Sequence, residues 1–145
     1  MKTRRIHKAD FDHIVSVIDR WWGGPYSAAA LPIFFYELGH HAQVIEEQGE
    51  TVGFLLGFVA DQPVKTGYVH LAGIHPEFRR KGVGRKLYAS FEAECKNAGC
   101  IKMKAITTLG NEGSVKFHQG IGWKVEEVSD YAGPGRTRIV FTKTF

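Results

Sequence analysis

Apolar positions along this chain follow two spacings, one typical of helices and one typical of strands. The clearest helical spacing places Val83, Leu87, Phe91 and Cys95 four residues apart. Before it, residues 68–74 form an apolar, partly β-branched run that predicts a strand. Pro76 ends this strand because proline has no N–H to donate to a ladder. The pattern predicts a strand, a turn and a helix in succession.

The same spacings divide the rest of the chain into short elements. A strand over residues 2–7 precedes a helix that we expect to begin with Asp10 as N-cap and to end before Gly23. Residues 31–38 predict a second, shorter helix with Gly39 as its C-cap, and residues 112–119 predict a fourth. The other predicted strands cover residues 42–47, 51–60, 101–107, 123–129 and 136–142, and the strand before Pro76 covers residues 67–74 in full. The order β-α-α-β-β-β-α-β-α-β-β predicts an α/β or α+β domain with a mixed sheet.

Composition limits the class of protein. A chain of 145 residues with 43% apolar and 23% charged residues fits one globular domain. No apolar run approaches the roughly 20 residues of a membrane span, and the N-terminus lacks the apolar core of a signal peptide. We therefore expect a cytoplasmic protein without a membrane partner. Cys95 and Cys100 match neither a disulfide framework nor a zinc site, so we expect buried thiols and no metal.

The turn before the third helix concentrates positive charge and glycine. Gly82 and Gly84 allow the backbone to approach a ligand, and the first amides of a helix are free donors at its electropositive end. Phosphate suits such a site. Much of the net charge of +4 lies here, on Arg79, Arg80, Lys81, Arg85 and Lys86. A protein that reads nucleic acid would spread its basic residues more widely, so we expect a small polyanion and no nucleic acid.

The spacing of the glycines excludes two common phosphate loops. No Gly-x-x-x-x-Gly-Lys-Ser/Thr run exists, and a dinucleotide fingerprint would need glycine where Leu87 stands. The remaining pattern, Arg79-x-x-Gly82-x-Gly84 after a strand and a proline, resembles motif A of the GNAT superfamily of N-acetyltransferases. A later run is similar to that family's pattern Asn-x-x-Ala-x-x-Phe-Tyr-x-x-x-Gly-Phe, through Asn111, Ser114, Phe117, His118, Gly122 and Trp123.

This resemblance implies one domain over residues 1–145, with a mixed central sheet of about seven strands flanked by about four helices. It also implies acetyl-CoA as cofactor and transfer to a primary amine acceptor in a ternary complex. A homodimer is compatible with the sequence. The alternative is a non-catalytic acyl-CoA sensor on the same fold, because the chain lacks the family's tyrosine.

The resemblance assigns cofactor contacts as well. The amides of residues 80–85 would hold the pyrophosphate, and the main chain of residues 72–74 would align the pantetheine arm. The Ile74 amide would polarise the thioester carbonyl. Asn111 would lie near the pantetheine, cap the fourth helix, or do both. The predicted cofactor-binding residues are Ala72, Gly73, Ile74, Arg79, Arg80, Lys81, Gly82, Val83, Gly84, Arg85, Asn111, Ser114 and Phe117.

Two histidines are candidates for proton transfer beside the Ile74 amide. His118 stands where many family members carry the tyrosine that protonates the departing thiolate, and an imidazole can carry that proton near neutral pH. A structural hydrogen bond or a surface position is its alternative role. His70 lies on the fourth strand, at a spacing similar to that of catalytic histidines in the arylalkylamine branch of the family. It could accept the proton of the amine, or it could be a half-buried strand residue bonded to a neighbour.

Strand alternation predicts that Tyr68, His70, Ala72 and Ile74 share one face and that His75 points to the other. Glu46, Glu47 and Asp130 are weaker candidates for the base.

Aromatic residues gather between the first two helices and in the late loop. The resemblance implies that these regions wall the acceptor site, and an apolar or aromatic amine would suit such a wall. Packing in the core is the alternative for about half of these rings. The predicted acceptor-binding residues are Trp21, Trp22, Tyr26 and Tyr131.

Overall fold

The computed structural model describes residues 1–22, 24 and 27–145, and within them it shows seven strands and four α-helices. The strands are β1 (Lys2–Arg5), β2 (Gln43–Glu47), β3 (Glu50–Ala60), β4 (Thr66–Ile74), β5 (Lys102–Thr107), β6 (Lys124–Val128) and β7 (Arg138–Thr144). The helices are α1 (Lys8–Trp22), α2 (Ile33–Tyr36), α3 (Val83–Asn97) and α4 (Glu112–Gly120), with 3₁₀ turns at Ser27–Ala29 and Pro76–Phe78. The predicted order of elements is confirmed.

The strands form one mixed sheet in the order β1-β2-β3-β4-β5-β7-β6. Every neighbouring pair is antiparallel except β4 and β5, which run parallel. Parallel neighbours need a crossover, and α3 supplies it between these two strands. The predicted mixed sheet is therefore confirmed, with its one parallel junction directly beside the glycine turn.

Apolar side chains fill both faces of the sheet. On one face α3 packs Leu87 and Phe91 against Met103 and Phe141, all fully buried. On the other face α1 packs against Phe54 and Leu56 of β3. The predicted four-residue spacing of α3 corresponds to this buried face of the helix. Cys95 on α3 and Cys100 after it are free, buried thiols, as expected. None of the described helices has the length and apolar content to cross a membrane.

The start of α1 lies two residues before the predicted N-cap. Asp10 is inside the first turn, where one carboxylate oxygen accepts the His7 N–H at 2.7 Å and both oxygens accept from Arg4. The carboxylate therefore still satisfies a free amide of the helix start, but it reaches back from within the helix. The expected N-cap position was wrong because a first-turn aspartate and a capping aspartate present the same sequence pattern.

The second apolar segment forms much less helix than predicted. Only Ile33–Tyr36 is α-helical, and its C-cap is Glu37 where we expected Gly39. Phe34 and Phe35 pack on the core, while Ile33 and Tyr36 remain exposed. The segment is a short cover over the β3–β4 region of the sheet.

A β-bulge in β4 changes which residues share a face. Leu56 and Gly57 of β3 are consecutive, but they oppose Leu71 and Val69, so His70 is an extra residue in β4. The prediction that Tyr68, His70, Ala72 and Ile74 share one face was wrong, because an extra residue inverts the alternation beyond it. The His70 ring stacks on Phe34 of α2, whereas Ala72 and Ile74 pack on the α3 side.

The bulge also corrects the expected position of His75. Its ring lies 5.3 Å from that of Trp21 on α1, so it is on the same face as His70. Its Nδ1 accepts the Glu77 N–H at 3.1 Å, which confirms that it structures the turn after β4.

Candidate active site

The turn before α3 presents free backbone donors. Gly82 is the N-cap at φ 79°, a left-handed conformation that favours glycine, and it has no side chain with which to cap the helix. The first amide bonded within the helix is that of Lys86, which donates to the Gly82 carbonyl at 3.1 Å. The N–H groups of Val83, Gly84 and Arg85 precede it and are free to hold an anion at the positive end of the helix dipole.

Gly84 lets α4 approach this turn closely. A Cβ at Gly84 would lie 3.0 Å from the ring of Phe117, closer than most Cβ contacts in proteins. Arg85 also ties the two helices together, because its guanidinium donates to the Gly120 carbonyl at 3.2 Å. Two predicted cofactor residues, Gly84 and Phe117, are therefore neighbours at the mouth of the turn.

The basic side chains of the turn divide into two kinds. Arg79 donates a hydrogen bond to the Trp21 carbonyl at the end of α1, so its guanidinium fastens the turn to that helix. Arg80 and Lys81 are exposed, and the Lys81 ammonium lies 5.1 Å from the centre of the Phe78 ring. The structure thus gives Arg79 a positioning role and leaves Arg80 and Lys81 facing solvent, where they can attract a polyanion.

A cleft opens where β4 and β5 stop pairing. Their register ends at Val69 opposite Ala105, although β4 continues to Ile74. The His75 N–H donates to Val52 of β3 at 2.8 Å, and amides alternate in direction along a strand. The N–H groups of Ala72 and Ile74 therefore point away from β3 into the cleft, and that of Gly73 points toward β3. The free edge of β4 is shaped to pair with an extended ligand.

His70 lies on this same strand, on the face covered by α1 and α2. Its Nε2 is 2.8 Å from the Ala29 carbonyl, which can only accept, so Nε2 carries the proton and Nδ1 keeps a lone pair. Its ring stacks on Phe34 with centroids 3.8 Å apart. Burial lowers the pKa of His70 by disfavouring the charged form, which outweighs the bond to Ala29. The ring is therefore neutral at physiological pH and able to accept a proton.

His118, in contrast, is part of the core. It is 4% exposed, its Nδ1–H donates to the Ser114 carbonyl at 2.7 Å, and its Nε2 accepts from the Tyr88 hydroxyl at 3.0 Å. Its ring stacks on Phe141 with centroids 3.9 Å apart. Burial lowers its pKa, and both ring nitrogens have partners inside the protein. These contacts favour the structural role of His118, and protonation of the thiolate by its ring stays a prediction. The sequence analysis did not identify Tyr88. Its hydroxyl gives the buried Nε2 of His118 a hydrogen-bond partner, which allows a histidine at this position.

Replacing His118 with phenylalanine tests this structural role. The variant keeps the aromatic stack but leaves the buried Tyr88 hydroxyl without an acceptor, which should lower the free energy of unfolding by about 1–3 kcal/mol. Urea denaturation measures the loss, and adding Tyr88→Phe should recover much of it. Turnover should stay within about twofold of wild type, whereas a catalytic role would lower it at least tenfold.

Stability should also depend on pH through His118. The unfolded chain gains a proton near pH 6.5. The folded state, in which the pKa is lowered, gains that proton only at lower pH. The free energy of unfolding should therefore fall as the pH drops below about 6.5, and His118→Phe should show a smaller fall.

Asn111 confirms one of its two predicted roles. Its Oδ1 accepts the Ser114 N–H at 3.3 Å as the N-cap of α4, and its Nδ2 donates to Thr107 Oγ1 at 2.9 Å. The side chain thus joins α4 to the end of β5. A contact of Asn111 or Ser114 with a pantetheine arm stays a prediction.

The predicted acceptor wall is only partly where we expected it. Trp21 lies in the core, 4% exposed and stacked on Phe54, which favours the alternative of core packing for this ring. Trp22 is the last residue of α1, and its indole nitrogen would be 3.1 Å from a Cβ at Gly73. Tyr131 is 38% exposed. Tyr26 lies outside the residues that the structure describes.

The weaker base candidates all have partners. Glu46 accepts from Arg4 at 2.9 Å, Glu47 lies 3.3 Å from the N-terminal amine, and Asp130 accepts the Gly135 N–H at 2.7 Å. Among the described residues, no group of three or more His, Cys, Asp or Glu side chains could hold a metal ion. His70 is therefore the candidate best placed to accept a proton beside the cleft.

Comparison with known proteins agrees with this geometry. The model of the Acetyltransferase (GNAT) family matches residues 11–123, well over half of the chain. Aminoglycoside N(6')-acetyltransferase type 1 of Salmonella typhimurium is 28% identical over 141 residues, covering 88% of this chain and 94% of that protein.

Solved structures show the same fold. An aminoglycoside 6'-N-acetyltransferase complexed with coenzyme A has a TM-score of 0.79 at 18% identity, covering 99% of this chain and 97% of that one. Ard1 from Thermoplasma volcanium has a TM-score of 0.80 at 16% identity, covering 99% of this chain and 96% of that one.

Proposed function

The chain belongs to the Acetyltransferase (GNAT) family; from this premise we propose that it is an acetyl-CoA-dependent N-acetyltransferase, which transfers the acetyl group directly to a primary amine while both reactants are bound. The observation that carries the proposal is the arrangement of β4. The free amides of Ala72 and Ile74 line the cleft on one edge, and the neutral ring of His70 lies two residues away at the bulge.

The turn and the cleft fit the two halves of the cofactor. The amides of residues 83–85 would hold its pyrophosphate, with Arg80 and Lys81 adding attraction from the surface. The N–H groups of Ala72 and Ile74 would pair with the pantetheine arm, and that of Ile74 would hold the carbonyl oxygen. The bound cofactor supplies the acetyl group as a thioester.

His70 would act on the acceptor. An ammonium has no lone pair, so the amine must lose a proton before it can attack the carbonyl carbon. The lone pair on Nδ1 of His70 would take this proton directly or through one water. Its lowered pKa keeps that lone pair available at neutral pH. Holding both reactants beside one strand removes the need for them to meet by diffusion.

A thermal-shift titration followed by a turnover assay tests the proposal. Acetyl-CoA at 100 times its Kd should stabilise the protein by about 2.7 kcal/mol, and an RNA or DNA oligomer should not. Thiol release with a panel of primary amines, including an aminoglycoside as used by the named relatives, then measures transfer. Stabilisation without turnover on any amine would support an acyl-CoA sensor, and absence of stabilisation would contradict the assignment of the cofactor site.

A further inference from the structure

Lys104 lies on the face of the sheet that carries His70. The register places Phe58, Tyr68, Lys104 and Thr142 directly opposite one another on β3, β4, β5 and β7. Residues opposite one another in neighbouring strands project to the same face. The rings of Phe58 and Tyr68 confirm this, since their centroids are 5.3 Å apart. Lys104 therefore borders the region in which the acceptor would lie.

Among the described residues, no carboxylate balances the charge of Lys104. Its ammonium lies 4.9 Å from the centre of the Tyr131 ring. No carboxylate of a described residue lies within 4.0 Å of it. Two acidic groups, one on β6 and one in the loop after it, have other partners, because Glu126 lies 3.8 Å from Lys124 and Asp130 accepts the Gly135 N–H. A ring face attracts a cation only weakly, so an anion would improve the site.

A second cation extends the positive charge. Ile139 packs on the core at the α3 face, so the preceding Arg138 projects to the face of Lys104. Its guanidinium donates to the Thr137 carbonyl at 3.0 Å and keeps its full charge. This face thus carries Arg138 as well as Lys104, together with Lys102 on β5 and Lys124 opposite Thr142 on β6.

Hydrogen bonds within the loop stabilise the segment that carries Tyr131, whose ring contacts Lys104. The Ala132 N–H donates to the Arg136 carbonyl at 3.0 Å, and the Asp130 side chain closes the same turn. The rest of the surface near His70 is aromatic, through Phe34, Phe58 and Tyr68. Tyr68 and Ala72 oppose Phe58 and Leu55 of β3, which are three residues apart, so they lie about 10 Å apart along the strand. A small molecule can span this distance.

We infer that the acceptor is a small primary amine on an apolar or aromatic body that also bears an anionic group, which Lys104 holds. This inference rests on the proposed function, because it names the substrate class of the same site. An acceptor with several positive charges would meet Lys104 and Arg138 with repulsion and leave the aromatic surface without an apolar partner.

A matched pair of amines tests the inference. The acid 4-(2-aminoethyl)benzoic acid and its primary amide differ in charge but share the reacting amine and the ring. Wild type should show kcat/KM about tenfold higher for the acid than for the amide, mainly through KM. Lys104→Met should abolish this preference by lowering kcat/KM for the acid toward that for the amide, and Lys104→Arg should retain most of it.

Lys124→Met is the control, because Lys124 lies in the same row of the sheet, beyond Thr142, and is mostly exposed. It should keep the preference for the acid. Equal rates for acid and amide, equal loss on both with Lys104→Met, or faster turnover of spermidine than of the acid would each overturn the inference while the proposed function stands. Absence of transfer to every amine, with acetyl-CoA bound, would instead contradict both.

Discussion

The double variant Gly82→Val/Gly84→Val should bind acetyl-CoA at least about 100-fold more weakly than wild type, because it removes two or more charge-assisted hydrogen bonds. Gly82 has φ 79°, which valine does not adopt without strain. A valine at Gly84 would push against the Phe117 ring, which lies 3.0 Å from the position of its Cβ. Both changes displace the amides that face the anion. Isothermal titration with acetyl-CoA measures the loss.

Gly113→Val provides the matched control for this variant. Gly113 is also near the start of a helix, but among the described residues no atom outside its immediate surroundings lies within 4 Å of a Cβ placed there. This variant should bind acetyl-CoA within about threefold of wild type and lose only the stability expected of a β-branched residue in a helix. Circular dichroism confirms the fold of both proteins. Unchanged affinity in a folded double variant would contradict the placement of the pyrophosphate at this turn.

Replacing His70 with alanine should lower kcat for a good amine by about 100-fold or more, the usual contribution of a general base. In wild type, kcat/KM should fall as the pH drops through the pKa of His70, which burial places below its ordinary value. That acid limb should be absent from the variant, whose rate would follow only the neutral fraction of the amine. Rates measured from pH 5 to pH 9 distinguish this loss from a general loss of packing against Phe34.

His13→Ala is the control for His70. His13 is exposed on α1, so its removal should change neither kcat nor the shape of the pH profile. Affinity for acetyl-CoA should be unchanged in both variants, since His70 lies on the opposite face from the cofactor-side residues. A His70→Ala enzyme with wild-type kcat and an intact acid limb would show that another group, or water alone, accepts the proton.

Sequence reasoning predicted the elements whose pattern is local. The stripe of Leu87 and Phe91 on α3 is a helical repeat that any buried helix must show. The glycines of the turn could be recognised in the sequence because each is required by the conformation or the close contacts of one residue. The order of strands and helices followed from the same local signals, and the family resemblance then supplied a mixed sheet of about seven strands flanked by about four helices.

Contacts between distant residues were not predictable in this way. The bulge at His70 depends on the pairing of β4 with β3, and nothing within β4 marks an extra residue. The burial of His118 depends on Tyr88, which is 30 residues away in the chain. The position of the Lys104 ammonium near the candidate acceptor region follows only from the pairing of Lys104 with Tyr68 and from its contact with the Tyr131 ring. Each of these features requires knowledge of which strands are neighbours.

His70 is an extra residue in β4, whose pairing with β3 is complete without it. Val69 and Leu71 already oppose consecutive residues of β3 and already project to opposite faces, so a chain lacking His70 could close the same regular ladder. His70 adds no residue pair to the pairing of β4 with β3. Strand pairing does not depend on the side chain at this position. Substitutions of His70 can therefore alter reactivity while the pairing of β4 with β3, and the cleft at the other edge of β4, are preserved.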